Sequence, residues 1–249
     1  MKVLTEQQVR DYRHDGFLFP VPALTPQEAA KYMTDLERME AHLGSPLPKA
    51  ELKWRGAAYI YLPWVNELVR HPRVLDAVED VLGPDILCWA SGVFLKEARD
   101  RAYVSWHQDA MYWGLDPADV VTAWIALTDS TERNGAMQVL PGSHRGALFP
   151  HADTYAQDNL LSRGQEIAVD IDPADAVTLT LQAGEMSLHH VKLAHGSAAN
   201  RSDDRRIGYA IRYVAPHVRP GGGAKDTAML VRGADRFGHF GAEPPDAAA

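Results

Sequence analysis

The chain has 249 residues, of which 46% are hydrophobic and 23% charged, and its formal net charge is −8 at neutral pH. This length and composition allow a sizeable core within one domain, residues 1–249, of the large barrel or sandwich type. The negative charge, without a basic run or a basic amphipathic helix, argues against nucleic acid or an anionic membrane as the main partner.

The first residues lack the apolar core of a signal peptide, and no stretch has the apolar length of a membrane span. A single cysteine, Cys88, excludes an intrachain disulfide and a thiolate metal cluster within one chain. These features predict a cytoplasmic protein.

The first third of the chain, about 1–84, has the pattern of helices. Thr5 is placed to cap a helix that runs to about His14, and residues 25–28 have the form of a capping box with proline at the first helical position. Residues 72–82 repeat apolar side chains at helical spacing, and the Gly-Pro pair at 83–84 ends the pattern.

From residue 86 the apolar period changes to two, and short β-rich runs alternate with turn-forming residues. The predicted strands are 86–96, 120–127, 137–140, 177–181 and 207–214. The pattern predicts a mainly β protein, an antiparallel jelly roll at about 85–215, with the preceding helices covering one sheet. We expect the tail, about 216–249, to be irregular, with residues 229–231 docked on the domain.

A His-x-Asp pattern lies between the first two predicted strands, at His107 and Asp109. If this segment is extended, both side chains share one face and Gln108 takes the other, so both can reach one metal ion. A second copy of the pattern, at 151–153, follows glycine and proline and is predicted to lie in a loop.

Three histidines could supply the next ligand: His189, His190 and His195. The pair Gly196-Ser197 lets the backbone pass close to a site, and Arg206 follows on the next predicted strand after a turn-rich segment, so His195 is favoured. For His189 and His190 the better interpretation is a packed, hydrogen-bonded histidine.

Two imidazoles and one carboxylate are the ligands of a mononuclear non-haem Fe(II) site, which leaves open positions for a co-substrate and O2. Arg206 suits the far carboxylate of a 2-oxoacid, because a guanidinium binds a carboxylate through two parallel hydrogen bonds. Its neighbour Arg205 must point to the opposite face of the same strand.

In order along the chain, these motifs resemble the signature of the phytanoyl-CoA dioxygenase family of Fe(II)/2-oxoglutarate-dependent oxygenases. The resemblance covers roughly residues 4–215. The matching segments are 4–9, 12–17, 106–112, 122–127, 134–135, 139–144 and 195–197, with Asn200 and Arg206. It implies a double-stranded β-helix, a cupin-like jelly roll preceded by N-terminal helices.

The resemblance also implies roles for individual residues, with Fe(II), 2-oxoglutarate and O2 as cofactors and co-substrates. It assigns iron to His107, Asp109 and His195, the C5 carboxylate of 2-oxoglutarate to Arg206, and further co-substrate contacts to Ser197 and Trp124. In the halogenating branch of these oxygenases a small residue replaces the carboxylate ligand. The aspartate at position 109 therefore argues against halogenation.

Aromatic and apolar residues near these motifs are candidates for a substrate wall. They are Phe94, Tyr103, Met111, Tyr112 and Trp113. For Phe94 and for Trp124, a role in the hydrophobic core is as strongly expected as a role at the site. Three basic residues, Lys96, Arg99 and Arg101, either form a cationic rim at the site or, as the favoured interpretation, are scattered solubilising charges.

The expected reaction is hydroxylation of an unactivated C–H bond of a free small-molecule metabolite, with release of succinate and CO2. Desaturation, ring formation and epimerisation begin from the same hydrogen abstraction. One alternative is a cupin-like isomerase or a dioxygenase without 2-oxoglutarate, which has no use for Arg206. The other is a non-catalytic jelly-roll binding module, and the intact set of metal donors argues against it.

Overall fold

The computed structural model describes residues 1–46, 57–221 and 226–242. The helices of these residues are α1 Glu6–Asp15, α2 Pro26–Leu43, α3 Ala58–Tyr61, α4 Pro63–Val69, α5 Pro72–Leu82 and α6 Ala110–Trp113, with short 3-10 helices at Glu132–Asn134, Ser143–Arg145 and Pro173–Asp175. Parts of the predicted irregular tail, 222–225 and 243–249, lie outside the described residues.

The strands follow in chain order. They are β1 Phe17–Pro22, β2 Ile86–Lys96, β3 Val104–His107, β4 Leu115–Asp116, β5 Val120–Ala126, β6 Met137–Val139, β7 His151–Asp153, β8 Gln165–Ile167, β9 Val177–Leu179, β10 Glu185–His190, β11 His195–Ser197, β12 Arg206–Val214, β13 Arg219–Pro220, β14 Thr227–Arg232 and β15 Gly241–Ala242. Most of them are short, as the frequent turn residues predict.

Both long N-terminal helices begin where the sequence predicts, because a threonine caps each of them. The Thr5 hydroxyl accepts a hydrogen bond from the backbone N–H of Gln8, and the Thr25 hydroxyl accepts one from that of Glu28. Each partner side chain in turn accepts a hydrogen bond from the threonine N–H, which completes a capping box. Among the described helices, none is long and apolar enough to cross a membrane.

Two antiparallel sheets form the jelly roll. The larger sheet has the strand order β1-β10-β5-β12-β2-β14-β15, in which only the β14–β15 pair is parallel, and the smaller has the order β3-β11-β6-β9. Two further pairs, β4 with β13 and β7 with β8, lie beside them. The predicted mainly β fold with flanking helices is confirmed.

Alternation along the strands separates the two faces of the larger sheet. On β12 the odd-numbered residues, such as Ile207 and Tyr209, join the main core, where they pack with Leu36 of α2 and Val74 of α5. The even-numbered residues of β12 face the other way, toward the smaller sheet. The helices therefore cover the outer face of the sheet and leave its inner face for a cavity.

One strand lies within the part of the chain that the pattern assigns to helices. Strand β1 pairs with β10 at the edge of the larger sheet. It contains Pro20 and Pro22, which lack an N–H donor and are tolerated at a sheet edge, but which hide the strand in the sequence. The predicted docking of 229–231 is seen as strand β14, which pairs Met229 with Cys88.

Candidate metal centre and active-site cavity

His107 and His195 face each other across the smaller sheet. They are register partners on β3 and β11, both are buried, and their ring centroids are 4.1 Å apart. In each ring Nδ1 lies 2.9 Å from a carbonyl oxygen two residues earlier, that of Ser105 and of Leu193 respectively. Nδ1 therefore donates to the backbone, which leaves the Nε2 lone pair of each ring for a metal ion.

Asp109 reaches the histidines by a turn and not along a strand. Strand β3 ends at His107, and Asp109 has helical dihedral angles, φ −55° and ψ −39°, at the start of α6. The predicted extended segment from 106 to 109 is therefore wrong. Gln108 fixes the turn, since its buried amide donates to the Lys192 carbonyl at 2.6 Å and accepts from the Phe149 N–H at 2.8 Å.

The structure brings the three predicted metal donors together. One ligand atom each from His107, Asp109 and His195 lies within 4.8 Å of the others. Burial lowers the pKa of His195 to about 4, so this imidazole is neutral at pH 7. Burial acts to raise the pKa of Asp109, but the polar and charged groups around it, His107 foremost, bring the pKa below its ordinary value, so the carboxylate is ionised. These are the protonation states that a metal ion requires.

The donors open into a cavity of about 140 Å³ between the two sheets. The residues predicted from the sequence that line it are His107, Asp109, His195, Arg206, Ser197, Trp124, Phe94 and Trp113. This volume is below the roughly 300–1,000 Å³ of pockets for drug-sized ligands. The cavity fits small molecules.

Three predicted substrate residues do not line the cavity. Residues 110–113 form a single helical turn, so consecutive side chains point in different directions, and only Trp113 reaches the cavity. Met111 is 47% exposed, and the Tyr112 hydroxyl lies 3.2 Å from Asp153. Tyr103 instead forms a backbone bridge with Asn159.

The sequence predicts a loop at the second His-x-Asp pattern, and this prediction is wrong. The pattern forms strand β7, which pairs with β8. His151 supports the turn at the metal donors, because its Nε2 accepts a hydrogen bond of 3.0 Å from the N–H of Gln108. Asp153 lies away from the donors and pairs with Arg163 at 3.8 Å.

Arg206 lies at one end of the cavity and is only 2% exposed. It stacks on Trp124, with Cζ 5.2 Å from the ring centroid, and Nη1 donates to the Gly135 carbonyl at 2.8 Å. Its Nε has no hydrogen-bond partner among the described residues. Burial lowers its pKa to about 10, so the guanidinium remains charged at neutral pH.

Arg205 points to the opposite side, as alternation predicts. It forms ion pairs with Glu40 at 3.1 Å and with Glu97 at 2.9 Å. The two adjacent arginines therefore have different partners, and only Arg206 faces the cavity.

Lys96 is neither a rim residue nor a solubilising charge, so both interpretations from the sequence are wrong for it. It is buried as the register partner of Arg206, and Nζ donates to the Ser197 hydroxyl at 2.6 Å and to the Ala198 carbonyl. Burial and the nearby guanidinium lower its pKa to about 6. Arg99 and Arg101 are exposed.

His189 and His190 are packed side chains, as predicted, but only His190 has the expected hydrogen bond. His190 Nδ1 accepts a bond of 3.0 Å from the N–H of Lys192. His189 is buried in the cavity wall, 5.0 Å from His195 between ring centroids, and its Nδ1 has no partner among the described residues.

The predicted site lacks several of the residues that line the cavity, among them Thr122 and Arg212. Both could have been found by the alternation that separates Arg205 from Arg206. Thr122 lies two residues before Trp124, and Arg212 lies six residues after Arg206, so each shares a strand face with a predicted site residue.

Comparison with known proteins identifies the family. The family model for phytanoyl-CoA dioxygenase (PhyH) matches residues 12–208, most of the chain. The chain belongs to the phytanoyl-CoA dioxygenase family. The predicted family is thus confirmed, and with it the predicted enzyme class, that of the 2-oxoglutarate-dependent oxygenases, which use iron.

Relatives within the family act on different substrates, according to their names. A probable alpha-ketoglutarate-dependent hypophosphite dioxygenase of Stutzerimonas stutzeri is 28% identical, over 91% of this chain and 86% of its own length. The ectoine dioxygenase of Bordetella parapertussis is 26% identical, over 80% of this chain and 71% of its own. Family membership therefore leaves the primary substrate open.

Solved structures agree with the fold. The apo form of the non-heme monooxygenase ThoJ has a TM-score of 0.83 and 38% identity, and the match covers 97% of this chain and 89% of that one. CytC3 with Fe(II) and alpha-ketoglutarate has a TM-score of 0.73 at 22% identity, covering 98% and 95% respectively. The fold of this family member is thus shared with these two solved structures.

Proposed function

We propose that this enzyme hydroxylates a C–H bond of a small molecule, with His107, Asp109 and His195 as the ligands of Fe(II) and Arg206 as the main contact of 2-oxoglutarate. One observation supports this more than any other. The three donor atoms and the guanidinium of Arg206, which has an unpaired Nε, line the same small cavity.

The donor set fits iron. Two neutral imidazole nitrogens and one carboxylate oxygen on one side of an ion are typical of non-haem Fe(II) oxygenases and leave the opposite positions free. The backbone carbonyls that hold Nδ1 of each histidine fix the ring orientation, and Gln108 fixes the turn that carries the aspartate. The protein therefore offers a preorganised set of ligands.

The opposite end of the cavity fits a carboxylate. Arg206 is held by Trp124 and by the Gly135 carbonyl, so its remaining N–H groups are fixed in direction. The Ser197 hydroxyl, which lines the same cavity, stays near it through its bond with Lys96. We assign these groups to the far carboxylate of 2-oxoglutarate.

Bound iron and 2-oxoglutarate supply the oxidising chemistry, in which one atom of O2 enters succinate, the other enters the hydroxylated product, and CO2 is released. The protein residues hold and orient the reactants and enclose them. Phe94, Trp113 and Met137 give the cavity apolar walls that limit the entry of water.

A metal-dependent isomerase or dioxygenase that does without 2-oxoglutarate has no use for Arg206. Burying a guanidinium in a cavity with one N–H group unpaired costs free energy that such an enzyme would not recover. The same cost argues against a non-catalytic binding module for neutral molecules.

The test is an anaerobic titration of the Fe(II)-loaded protein with 2-oxoglutarate, followed by the weak visible charge-transfer band of the chelate. We expect the band in the wild type, its loss in His107→Ala, and a requirement for at least tenfold more 2-oxoglutarate in Arg206→Ala. The matched control is Arg205→Ala, which removes the adjacent arginine outside the cavity and should leave the titration unchanged.

Absence of the band from wild-type protein that demonstrably holds iron would reject the 2-oxoglutarate assignment. Equal effects of the Arg205 and Arg206 variants would reject the assignment of the carboxylate to Arg206. With substrate present, detection of a hydroxylated product and an equal amount of succinate supports hydroxylation. A desaturated or cyclised product would instead show that the enzyme catalyses desaturation or ring formation.

A further inference from the structure

Three polar side chains form a row across the inner face of the larger sheet. They are His189 on β10, Thr122 on β5 and Arg212 on β12, and Thr122 is the register partner of the other two. Neighbouring strands lie about 4.8 Å apart, so the row spans roughly 10 Å between backbones. All three side chains line the cavity.

Each member of the row has a buried polar atom without a hydrogen-bond partner among the described residues. The atoms are His189 Nδ1, Thr122 Oγ1 and Arg212 Nε. His189 and Thr122 are each only 2% exposed. An unpaired buried polar group costs about 1–3 kcal/mol, and three in one row indicate a position that a polar ligand occupies.

The charge of the row comes from Arg212. Its Cζ lies 5.4 Å from the ring centroid of Phe94 and 5.7 Å from that of Trp113, so two aromatic faces hold the guanidinium. Its hydrogen bond to the Ala210 carbonyl is long, at 3.5 Å. The nearby charged groups are Asp109 and, when protonated, the histidines of the cavity, and the proposed function commits Asp109 to the metal ion.

Arg212 and Arg206 lie at opposite ends of the cavity. They share one face of β12, with Gly208 and Ala210 between them, and their Cα atoms are roughly 20 Å apart at about 3.3 Å per residue. Gly208 leaves room for the Trp124 indole, and Ala210 lines the cavity between the two arginines.

The formal charges at the site leave Arg212 without a counterion. A divalent metal ion, Asp109, Arg206 and dianionic 2-oxoglutarate balance one another. Arg212 then adds one positive charge, which water screens poorly in a buried cavity. Lys96 is a separate group, since oxygen atoms of the protein surround its Nζ and its pKa of about 6 leaves it largely neutral at pH 7.

We propose that Arg212, Thr122 and His189 form a second anion subsite, which binds a carboxylate or a similar oxyanion of the primary substrate. All three side chains can donate a hydrogen bond to such a group. This inference rests on the proposed function, because the site must also hold 2-oxoglutarate. It narrows the substrate class to small organic or inorganic anions.

The second carboxylate of 2-oxoglutarate has the same chemistry, so the experiment must separate the two sources. Fe(II)-loaded protein, with and without saturating 2-oxoglutarate, is titrated anaerobically with propionate and hypophosphite as anionic probes and with propionamide as a neutral one. Binding is measured by calorimetry and by perturbation of the visible band. The variants are Arg212→Gln, Thr122→Val and Arg206→Gln, and the control is Arg101→Gln on the surface.

We expect the anions to bind the 2-oxoglutarate complex, with the amide at least tenfold weaker. Arg212→Gln should weaken anion binding at least tenfold, Thr122→Val by a smaller factor, and neither should change the dissociation constant of 2-oxoglutarate more than threefold. Arg206→Gln should weaken the binding of 2-oxoglutarate but not that of the anionic probes. The surface control, Arg101→Gln, should change the binding of neither.

The proposal is overturned if the wild type binds no anionic probe, if the amide binds equally well, or if Arg212→Gln weakens 2-oxoglutarate as much as Arg206→Gln does. A wild type that binds anions through Arg212 but forms no 2-oxoglutarate complex would reject the proposed function and retain the anion subsite. The two failures are therefore distinguishable.

Discussion

Individual side chains differ in how far the sequence predicts them. The pair Arg205 and Arg206 follows from alternation alone. Asp109 joins the predicted donors for a different reason, since the chain turns after β3 and Gln108 holds the turn through two long-range bonds. Those partners lie 84 and 41 positions away in sequence, where no local pattern indicates them.

Arg206 provides a test of geometry at constant charge. Arg206→Lys keeps the positive charge but replaces a planar fork with a single ammonium group, so we expect the dissociation constant of 2-oxoglutarate to rise at least tenfold. Anaerobic titration of the iron-loaded variant measures it. Arg205→Lys is the control, and an equal affinity in wild type and Arg206→Lys would contradict a bidentate contact.

Lys96 has a predicted effect on stability. Its Nζ lies within 3.5 Å of the Ser197 hydroxyl and of the carbonyls of Ser197, Ala198 and Gly135, and shares its N–H groups among them. Lys96→Met keeps much of the volume but leaves these oxygens unpaired, and we expect a loss of about 1–3 kcal/mol in unfolding free energy. Urea denaturation measures it. The exposed neighbour Arg99→Met should change stability far less, and an unchanged midpoint for Lys96→Met would contradict the role assigned to these bonds.

Helices and strands are predicted best from the sequence where capping or helix-ending residues accompany a periodic apolar pattern. Helix α2 begins at its predicted capping box, and helices α1 and α5 are found within one residue of both predicted ends. Strand β1 shows neither of these signals, because its prolines interrupt the pattern and its position depends on pairing with β10, far along the chain. Predicted strand 177–181 is shorter, since Leu181 leaves the sheet to form a bridge with Ser130.

The capping box of α2 predicts a pH dependence. The hydrogen bond from the Thr25 N–H lowers the pKa of Glu28 from 4.5 to about 2. A carboxyl whose pKa is lower in the folded state contributes stability above its unfolded pKa and loses it as pH falls through the folded one. The stabilisation should therefore be complete above about pH 4.5 and decline toward pH 2.

Glu28→Ala tests this dependence. We expect a loss of about 1 kcal/mol at pH 7, by urea denaturation, because the cap of the helix is broken. The difference from wild type should narrow in measurements at pH 4 and pH 3. Glu37→Ala, at an exposed position of the same helix, should show little effect, and a difference that does not depend on pH would show that the carboxylate charge is unimportant.

Strand β12 contains a steric prediction at Gly208. A Cβ atom at this position would overlap the indole of Trp124. Gly208→Ala should therefore displace the indole, lower the unfolding free energy by about 1–3 kcal/mol and weaken 2-oxoglutarate binding. Tryptophan fluorescence and urea denaturation measure these effects. Gly146→Ala, where no heavy atom lies within 4 Å of the added carbon, is the control, and equal effects would contradict the overlap.

For the molecule as a whole, the order of the motifs along the chain was enough to predict the family and the jelly roll. The shape of the cavity was not predictable. Its walls come from strands of both sheets and from the segment around Leu161, and the sequence does not indicate how these meet. For this reason the row that Thr122, His189 and Arg212 form in the cavity is found only in the folded chain.

Metal binding should stabilise the whole fold, since the three donors come from β3, the turn after it and β11. An ion that binds only the folded state at a concentration 100 times its Kd adds about 2.7 kcal/mol, roughly 5–10 °C in Tm for a chain of this size. Anaerobic melting with Fe(II) and with a chelator measures the shift. His107→Ala should lose it, surface variant His14→Ala should retain it, and an equal shift in both would place the ion elsewhere.

The alternation along β12 has a consequence for how this protein can change. Substitutions at even positions alter what the cavity recognises, whereas odd positions face the helices, so new specificities can arise without repacking the core. An insertion or deletion of one residue within the strand would disrupt both faces, because it moves core-facing side chains to the cavity face and cavity-facing side chains to the core. We expect variation in this strand to consist of replacements, and changes in length to be confined to the loops that join it.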